Sequence, residues 1–327
     1  MLNLKTIIKK FIPILIPIIL IPEYCYDFWH YVVHSGVLKT STKTKLIARI
    51  TEEYHVIEKG LTMPETRLGF GRNNLLSLLS NCNEFVSKYG FYDIQLRHAA
   101  SVVNEYLKFH EDNAYKLDKT LVEKIDIFRQ KTHIREVSKQ IQSTQKEYFK
   151  HNRSSFDIFS SSRKSLRNYS DKEVPIETIN AAVDLSRNTP SSCNRQGSRV
   201  YIYSDRALVK QILKLQGGNR GFGHLAKKLI VVTAELGISH GVFERHQVWI
   251  DGGMFAMNLL YSLHFMKIAA CPLNCNFSIK KDRELRKLCG IKNSEVFIMM
   301  ISCGIPPDSF QIALSKRYPL EHFLHIY

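Results

Sequence analysis

Apolar residues recur at spacings of three and four through much of the first 150 positions. They do so in Leu75, Leu76, Leu78 and Leu79, in Ala99, Ala100, Val102, Val103, Tyr106 and Leu107, and in Leu121, Val122, Ile125, Ile127 and Phe128. That period predicts amphipathic helices, so the stretch from Pro22 to about Lys150 reads as mainly α-helical. Glu136 to Asn152 is polar and rich in Gln and Lys, as an exposed helix or connector would be, and the main boundary is expected there. Beyond it the pattern changes. Apolar, β-branched runs at 200–203, 229–233 and 296–301 predict strands, and helical patterns lie over 207–215, 253–266 and 281–289. Ser170 and Glu173 have the spacing of a capping box ahead of Pro175, after which Ile176, Ile179, Ala182, Val183 and Leu185 repeat as on a helix. Met254 to Met266 is apolar on nearly every face, so that helix is expected to be buried or shared with another subunit. The expected organisation is an apolar N-terminal segment (1–22), a helical region (23–150) and an α/β unit (151–327).

Composition refines this little: 44% hydrophobic and 23% charged residues describe an ordinary folded chain. The net charge of +16 is spread along both halves without a basic stripe or a nucleic-acid-binding motif, so no nucleic-acid partner is expected. The seven cysteines form no CxxC pair and no regular framework, which fits reduced thiols in a cytoplasmic protein. Cys271 and Cys275 find no matching pair, and no metal is expected. At the N-terminus Lys5, Lys9 and Lys10 precede an apolar run from Phe11 to Ile21, in the order of a signal peptide but without a small-residue cleavage site. The run is too short to span a bilayer, and Pro13, Pro17 and Pro22 interrupt helical hydrogen bonding. A peripheral membrane contact through residues 1–22 and packing on the protein's own surface or on a dimer mate are both compatible with it.

The chemistry-bearing segments are individually modest. Arg163-Lys-Ser-Leu-Arg167 supplies three cations and a hydroxyl within five residues, a compact phosphate binder by charge-assisted hydrogen bonds, although short basic runs are more often solvated surface. Thr189-Pro-Ser-Ser-Cys-Asn-Arg-Gln196 is dense in donors and acceptors, as any Asn/Ser turn is. Gly217-Gly-Asn-Arg-Gly-Phe-Gly223 permits close backbone approach to a ligand. Asp251-Gly-Gly253 opens the apolar helix, and Gly304-Ile-Pro306 is followed by Lys316-Arg317.

In this order and spacing the segments resemble the FMN-dependent nitroreductase family over about residues 160–327. The resemblance implies an α+β (α/β-type) nitroreductase-like fold, with a central mixed sheet flanked by helices, preceded here by the helical region. It implies that Arg163, Lys164, Ser165 and Arg167 hold the FMN phosphate and ribityl chain, with Lys316 and Arg317 reaching the phosphate from the C-terminus. Pro190, Ser191, Ser192 and Asn194 would come from the second subunit of an intertwined homodimer. Cys271, Pro272 and Leu273 would flank the isoalloxazine ring, and Asn219 would contribute from the glycine-rich segment. The implied activity is reduction of a small acceptor by NADH or NADPH in ping-pong order, the flavin carrying the electrons and the protein supplying position and electrostatics. The chain departs from the family pattern at Gly197-Ser198, where many members have Pro-Trp, and at Lys164, where Arg or His is common. A non-catalytic flavin-binding or sensor module, acting as a membrane-proximal partner, is the alternative reading.

In the helical region His55 and Glu58 have a metal-bundle spacing, but no partner motif completes such a site. His30 and His34 are one turn apart beside Trp29 and read as an amphipathic interfacial face. Residues 53–63 together with 67–71 resemble the N-terminal extension of nitroreductase-like proteins of surface-polysaccharide loci, which implies a role with a sugar or polysaccharide precursor.

Overall fold

The computed structural model describes residues 4–35, 37, 42–239 and 241–327, with side chains from residue 16 onward. The helical region is built from α1 (Leu4–His34), α2 (Lys43–Leu61), α3 (Arg72–Tyr89), α4 (Ile94–Asp112) and α5 (Lys119–Thr132). Short polar side chains start three of them. Thr42, Asp93 and Asp118 accept from the backbone N–H groups of Lys45, Gln95 and Leu121, satisfying donors that have no partner within the first turn. Gly90, at φ 77°, ends α3 where a side chain would be strained. The periodic residues meet in one core: Ile50, Ile57, Leu75, Leu78, Phe85, Val102, Val103, Tyr106, Ile125 and Phe128 are all buried.

α1 runs unbroken through Pro17 and Pro22, against the expected interruption. Each proline deletes one backbone donor, but both sit on the exposed surface, where water can solvate the freed carbonyls. The helix is held to the rest of the chain by polar contacts, Arg245 pairing with Glu23 at 3.1 Å and Asp27 at 2.6 Å. Most of its described apolar side chains, among them Ile18, Phe28 and Trp29, stay exposed and do not pack on the protein's own surface. Among the described residues no helix is long and apolar enough to cross a membrane. The side chains of Lys5, Lys9, Lys10 and Phe11, on which the N-terminal expectation partly rests, lie outside the described ones.

The second region comprises β1 (Ile141–Thr144), α6 (Gln145–Tyr148), α7 (Phe156–Ser162), α8 (Ile176–Ser186), β2 (Ser198–Tyr203), α9 (Arg206–Gln216), β3 (Lys228–Glu235), α10 (Gln247–Phe265), β4 (Ala269–Leu273), α11 (Ile279–Cys289), β5 (Glu295–Gly304) and β6 (Ser309–Ile312). Four strands form a sheet in the order β2-β3-β5-β4. Of the expected mixed pairing, only antiparallel ladders are seen among the described residues. Alternation along β3 divides its side chains between two cores. Leu229 and Val231 join residues of α9 and α11, whereas Ile230 and Val232 join residues of α8 and α10.

Two expectations need correction. The polar connector is not simply exposed: Ile141–Thr144 pairs antiparallel with Ser309–Ile312, and Tyr148 and Phe149 enter the sheet region's core. The capping box at Ser170 does not form. Pro175 directly precedes the first helical residue, Ile176, and the Ser170 hydroxyl donates instead to the Ile305 carbonyl at 3.0 Å.

Candidate functional site

Residues 163–170 run extended along the edge of the sheet, with the Leu166 N–H bonded to the Ala270 carbonyl and the Ser170 N–H to that of Ile305. Leu166 is fully buried, and the Tyr169 hydroxyl lies 2.9 Å from the carbonyls of both Leu166 and Ser302, to either of which it can donate. Leu166 is thus anchored in the core while Arg163, Lys164, Ser165 and Arg167 line a cleft beside it. The second arm follows the β1–β6 ribbon. The Leu314 N–H donates to Gln140, and Ser315 adopts a left-handed conformation at φ 50°, redirecting the chain just before Lys316 and Arg317.

These arms meet in a cleft of about 420 Å³ lined by Arg163, Lys164, Ser165, Arg167, Pro272, Ser315, Lys316 and Arg317. Five cations thus converge, and none forms an ion pair among the described residues; the lining carboxylate is the exposed Glu52. The crowding is visible in Lys164, whose pKa is lowered by burial and by the charges of Arg317 and Arg163. Burial raises the Cys271 thiol, and Arg167, Lys59 and Arg163 work against that rise. Three partly buried cations (Arg163, Lys164 and Arg167) and two exposed ones (Lys316 and Arg317), crowded together without counter-ions, fit a phosphate, which would relieve their mutual repulsion and accept their hydrogen bonds.

The other expected residues are placed as follows. Pro272 lines the cleft, Cys271 lies buried beside Arg167, and Leu273 points into the core below. The Asn219 side chain turns inward, donating to the Leu213 carbonyl and to Gln216, and does not line a cleft. Pro190, Ser191, Ser192 and Asn194 form a turn at the start of α10, where the Ser192 N–H donates to Asp251 at 3.0 Å. Arg195 braces it through Ser192, Ile238 and Glu244. Cys193, Asn194 and Gln196 are all left-handed, a costly backbone held by those bonds. The turn does not line the basic cleft of its own chain.

Sequence reasoning missed the contribution of α2. Thr51, Glu52, Tyr54 and His55 form one wall of the basic cleft. Behind them Glu58 is fully buried between His98, at 2.7 Å, and His55, at 3.0 Å. Burial would raise its carboxyl, but the two imidazole hydrogen bonds outweigh that and hold it at about 2. Among the described residues no cluster has the make-up of a metal site, and the His55–Glu58 spacing serves this buried pairing. The signal was a carboxylate set within the apolar stripe Ile50, Tyr54, Ile57 and Leu61.

Comparison with known proteins falls on the same segment. The model of the nitroreductase family matches residues 161–219, so the chain carries a nitroreductase-family segment that begins at the basic motif and ends in the glycine-rich loop. A protein of Archaeoglobus fulgidus, named for NADH dehydrogenase or NAD(P)H nitroreductase activity, is 26% identical over 150 residues, which are 45% of this chain and 82% of the relative. Among solved structures, an NADH oxidase from Clostridium acetobutylicum is 21% identical with a TM-score of 0.45, over 51% of this chain and 98% of its own. A nitroreductase from Desulfovibrio desulfuricans, solved in complex with FMN, is 21% identical with a TM-score of 0.42, over 52% of this chain and 94% of its own. Each likeness leaves about half of this chain unmatched.

Proposed function

We propose that this protein is an FMN-dependent oxidoreductase that uses NADH or NADPH to reduce a small nitro, quinone-like or unsaturated acceptor. The observation that carries the reading is the convergence of Arg163, Lys164, Arg167, Lys316 and Arg317, without counter-ions, beside Ser165 and Pro272. The family segment at 161–219 and the naming of the Archaeoglobus fulgidus relative support it. When bound, the flavin would supply the electron chemistry between a nicotinamide donor and the acceptor, in ping-pong order. The chain's own part is to bind and orient. The cations and Ser165 hold the phosphate and ribityl chain, Pro272 and Cys271 border the ring, and no protein nucleophile is needed.

A homodimer is part of the same proposal. α10 buries Val248, Ala256, Leu259 and Leu263 but leaves Trp249, Ile250, Met254 and Met257 exposed, an apolar face suited to a second copy. That copy would bring the braced turn at 190–194 to the ring. A cytoplasmic location and a place in surface-polysaccharide or sugar-precursor metabolism complete the reading.

The test is an absorbance spectrum of purified protein, before and after anaerobic NADH or NADPH. A flavin spectrum that bleaches establishes the reductase. A flavin that resists both nicotinamides favours the non-catalytic binding module, and no uptake of added FMN overturns the proposal.

A further inference from the structure

α2 has a second side. Beyond the basic cleft its next turn faces the glycine-rich loop across an opening of about 640 Å³, lined by Lys59, Arg67, Arg220, Met63, Phe70 and Phe222 among others. The loop can approach closely because Gly221, at φ +85°, sits against Met63, where a Cβ would come within 3.0 Å of its sulfur. Lys59 stands between the two openings on α2. It lines this opening one turn of α2 beyond His55 of the basic cleft, the charge of Arg167 acts on it, and its own charge acts on the buried thiol of Cys271. Burial, and next the charge of Arg167, lower its pKa, with Cys271 and Glu52 opposing them in part. Among the described residues neither Lys59, Arg67 nor Arg220 forms an ion pair, and the lining carboxylate, Glu65, is exposed.

We infer that this opening is the acceptor site and that it selects an anionic acceptor, a carboxylate or phosphate on an apolar or aromatic body, with Lys59 of the helical region and Arg220 receiving the anion. The body would lie against Met63, Phe70 and Phe222, and the glycines let it approach the loop backbone. An anion there adds a counter-charge to the partly buried Lys59 through a charge-assisted hydrogen bond. A neutral acceptor of the same shape gains the apolar contacts alone. The helical region then decides which molecule reaches the flavin, and Lys59 does so from more than 100 positions before the basic motif. The inference rests on the FMN reading above.

FMN-loaded protein is titrated with 4-nitrobenzoate and, separately, with uncharged 4-nitrobenzyl alcohol, reading the perturbation of the oxidised flavin band without turnover. The anion is expected to bind at least about ten-fold more tightly, one such hydrogen bond by the 1.4 kcal/mol per decade rule. The preference should shrink towards one in Lys59→Met and in Arg220→Gln, and it should weaken with added salt in the unaltered protein. Equal affinity for the two probes, or a preference kept in both variants, overturns the inference while flavin uptake and nicotinamide bleaching leave the FMN reading standing. Failure to take up FMN overturns both.

Discussion

In the helical region Glu58 is carried fully into the core and is met there by His55 and His98, whereas the basic cleft of the sheet region gathers five cations that no carboxylate meets. The first arrangement is complete without a ligand, and its polar groups stabilise the fold they sit in. The second is incomplete without one, since crowded like charges repel. The contrast separates structural from ligand-binding polarity within one molecule. It also explains why two histidines and a glutamate on neighbouring helices are a brace, while a plainer run of Arg and Lys is the better candidate for function.

The largest expected effect tests the incomplete side. Replacing Arg163 and Arg317 together with Ala removes two charge-assisted bonds to the proposed phosphate, a loss of roughly 5 kcal/mol, or more than a thousand-fold in FMN affinity. Thermal stability without flavin should hold or rise, because like charges are removed. Fluorescence titration with FMN checks it, and unchanged flavin retention would remove the phosphate assignment.

Glu58→Ala tests the complete side, and here the loss should appear without any ligand. Taking the carboxylate away strands the buried His98, and breaking such a pair costs about 4 kcal/mol. Urea unfolding at neutral pH measures it. The pH dependence has a definite sign. The folded carboxyl sits near 2, below its ordinary 4.5, so its contribution is complete above about pH 4.5 and is lost as the pH falls from there towards 2.

His264 belongs to the sheet region and reverses that logic. It is buried among Tyr148, Phe149 and Phe159, with Ser162 at 3.1 Å, and burial followed by the charge of Arg163 lowers its pKa to about 4. The unfolded chain therefore takes up this proton first on acidification. Stability should fall by about 3 kcal/mol as the pH drops from 6.5 to 4, with no contribution above 6.5. In His264→Phe that share of the slope should vanish. Unfolding midpoints at pH 7 and pH 4.5 compare the two, and identical slopes would show that the imidazole does not titrate this way.

How much of this could be read from the sequence depended on where each signal lay. The helices of 75–79, 99–107 and 121–128 and three strands were legible because a core forces its period on the residues that line it. β1 was not, since Ile-Gln-Ser-Thr is polar and pairs with a partner more than 160 positions away. β4, which carries Cys271 and Pro272, was not predicted as a strand, because a proline in a five-residue edge strand hides the pattern. The basic cleft was legible as two motifs but not as one place with α2. Nothing local marks His55 or Lys59 as neighbours of Arg167, and that juxtaposition comes from packing alone.

The smallest effect addresses the seam between the regions. The Tyr54 hydroxyl donates to the Gln95 carbonyl oxygen, and the Gln95 amide reaches the backbone carbonyl of Lys316 at 3.5 Å, so a buried side chain of the helical core lies one long bond from the C-terminal arm of the basic cleft. In Tyr54→Phe the Gln95 oxygen loses its donor, and about 1 kcal/mol should be lost with it. The informative quantity is where that loss falls. If the seam couples the regions, FMN affinity drops together with the unfolding midpoint, because the amide that steadies the Lys316 backbone is no longer fixed. If stability drops by the same amount while FMN affinity is untouched, the bond belongs to the helical core alone, and α2 shapes the cleft by position without transmitting its rigidity to the phosphate arm.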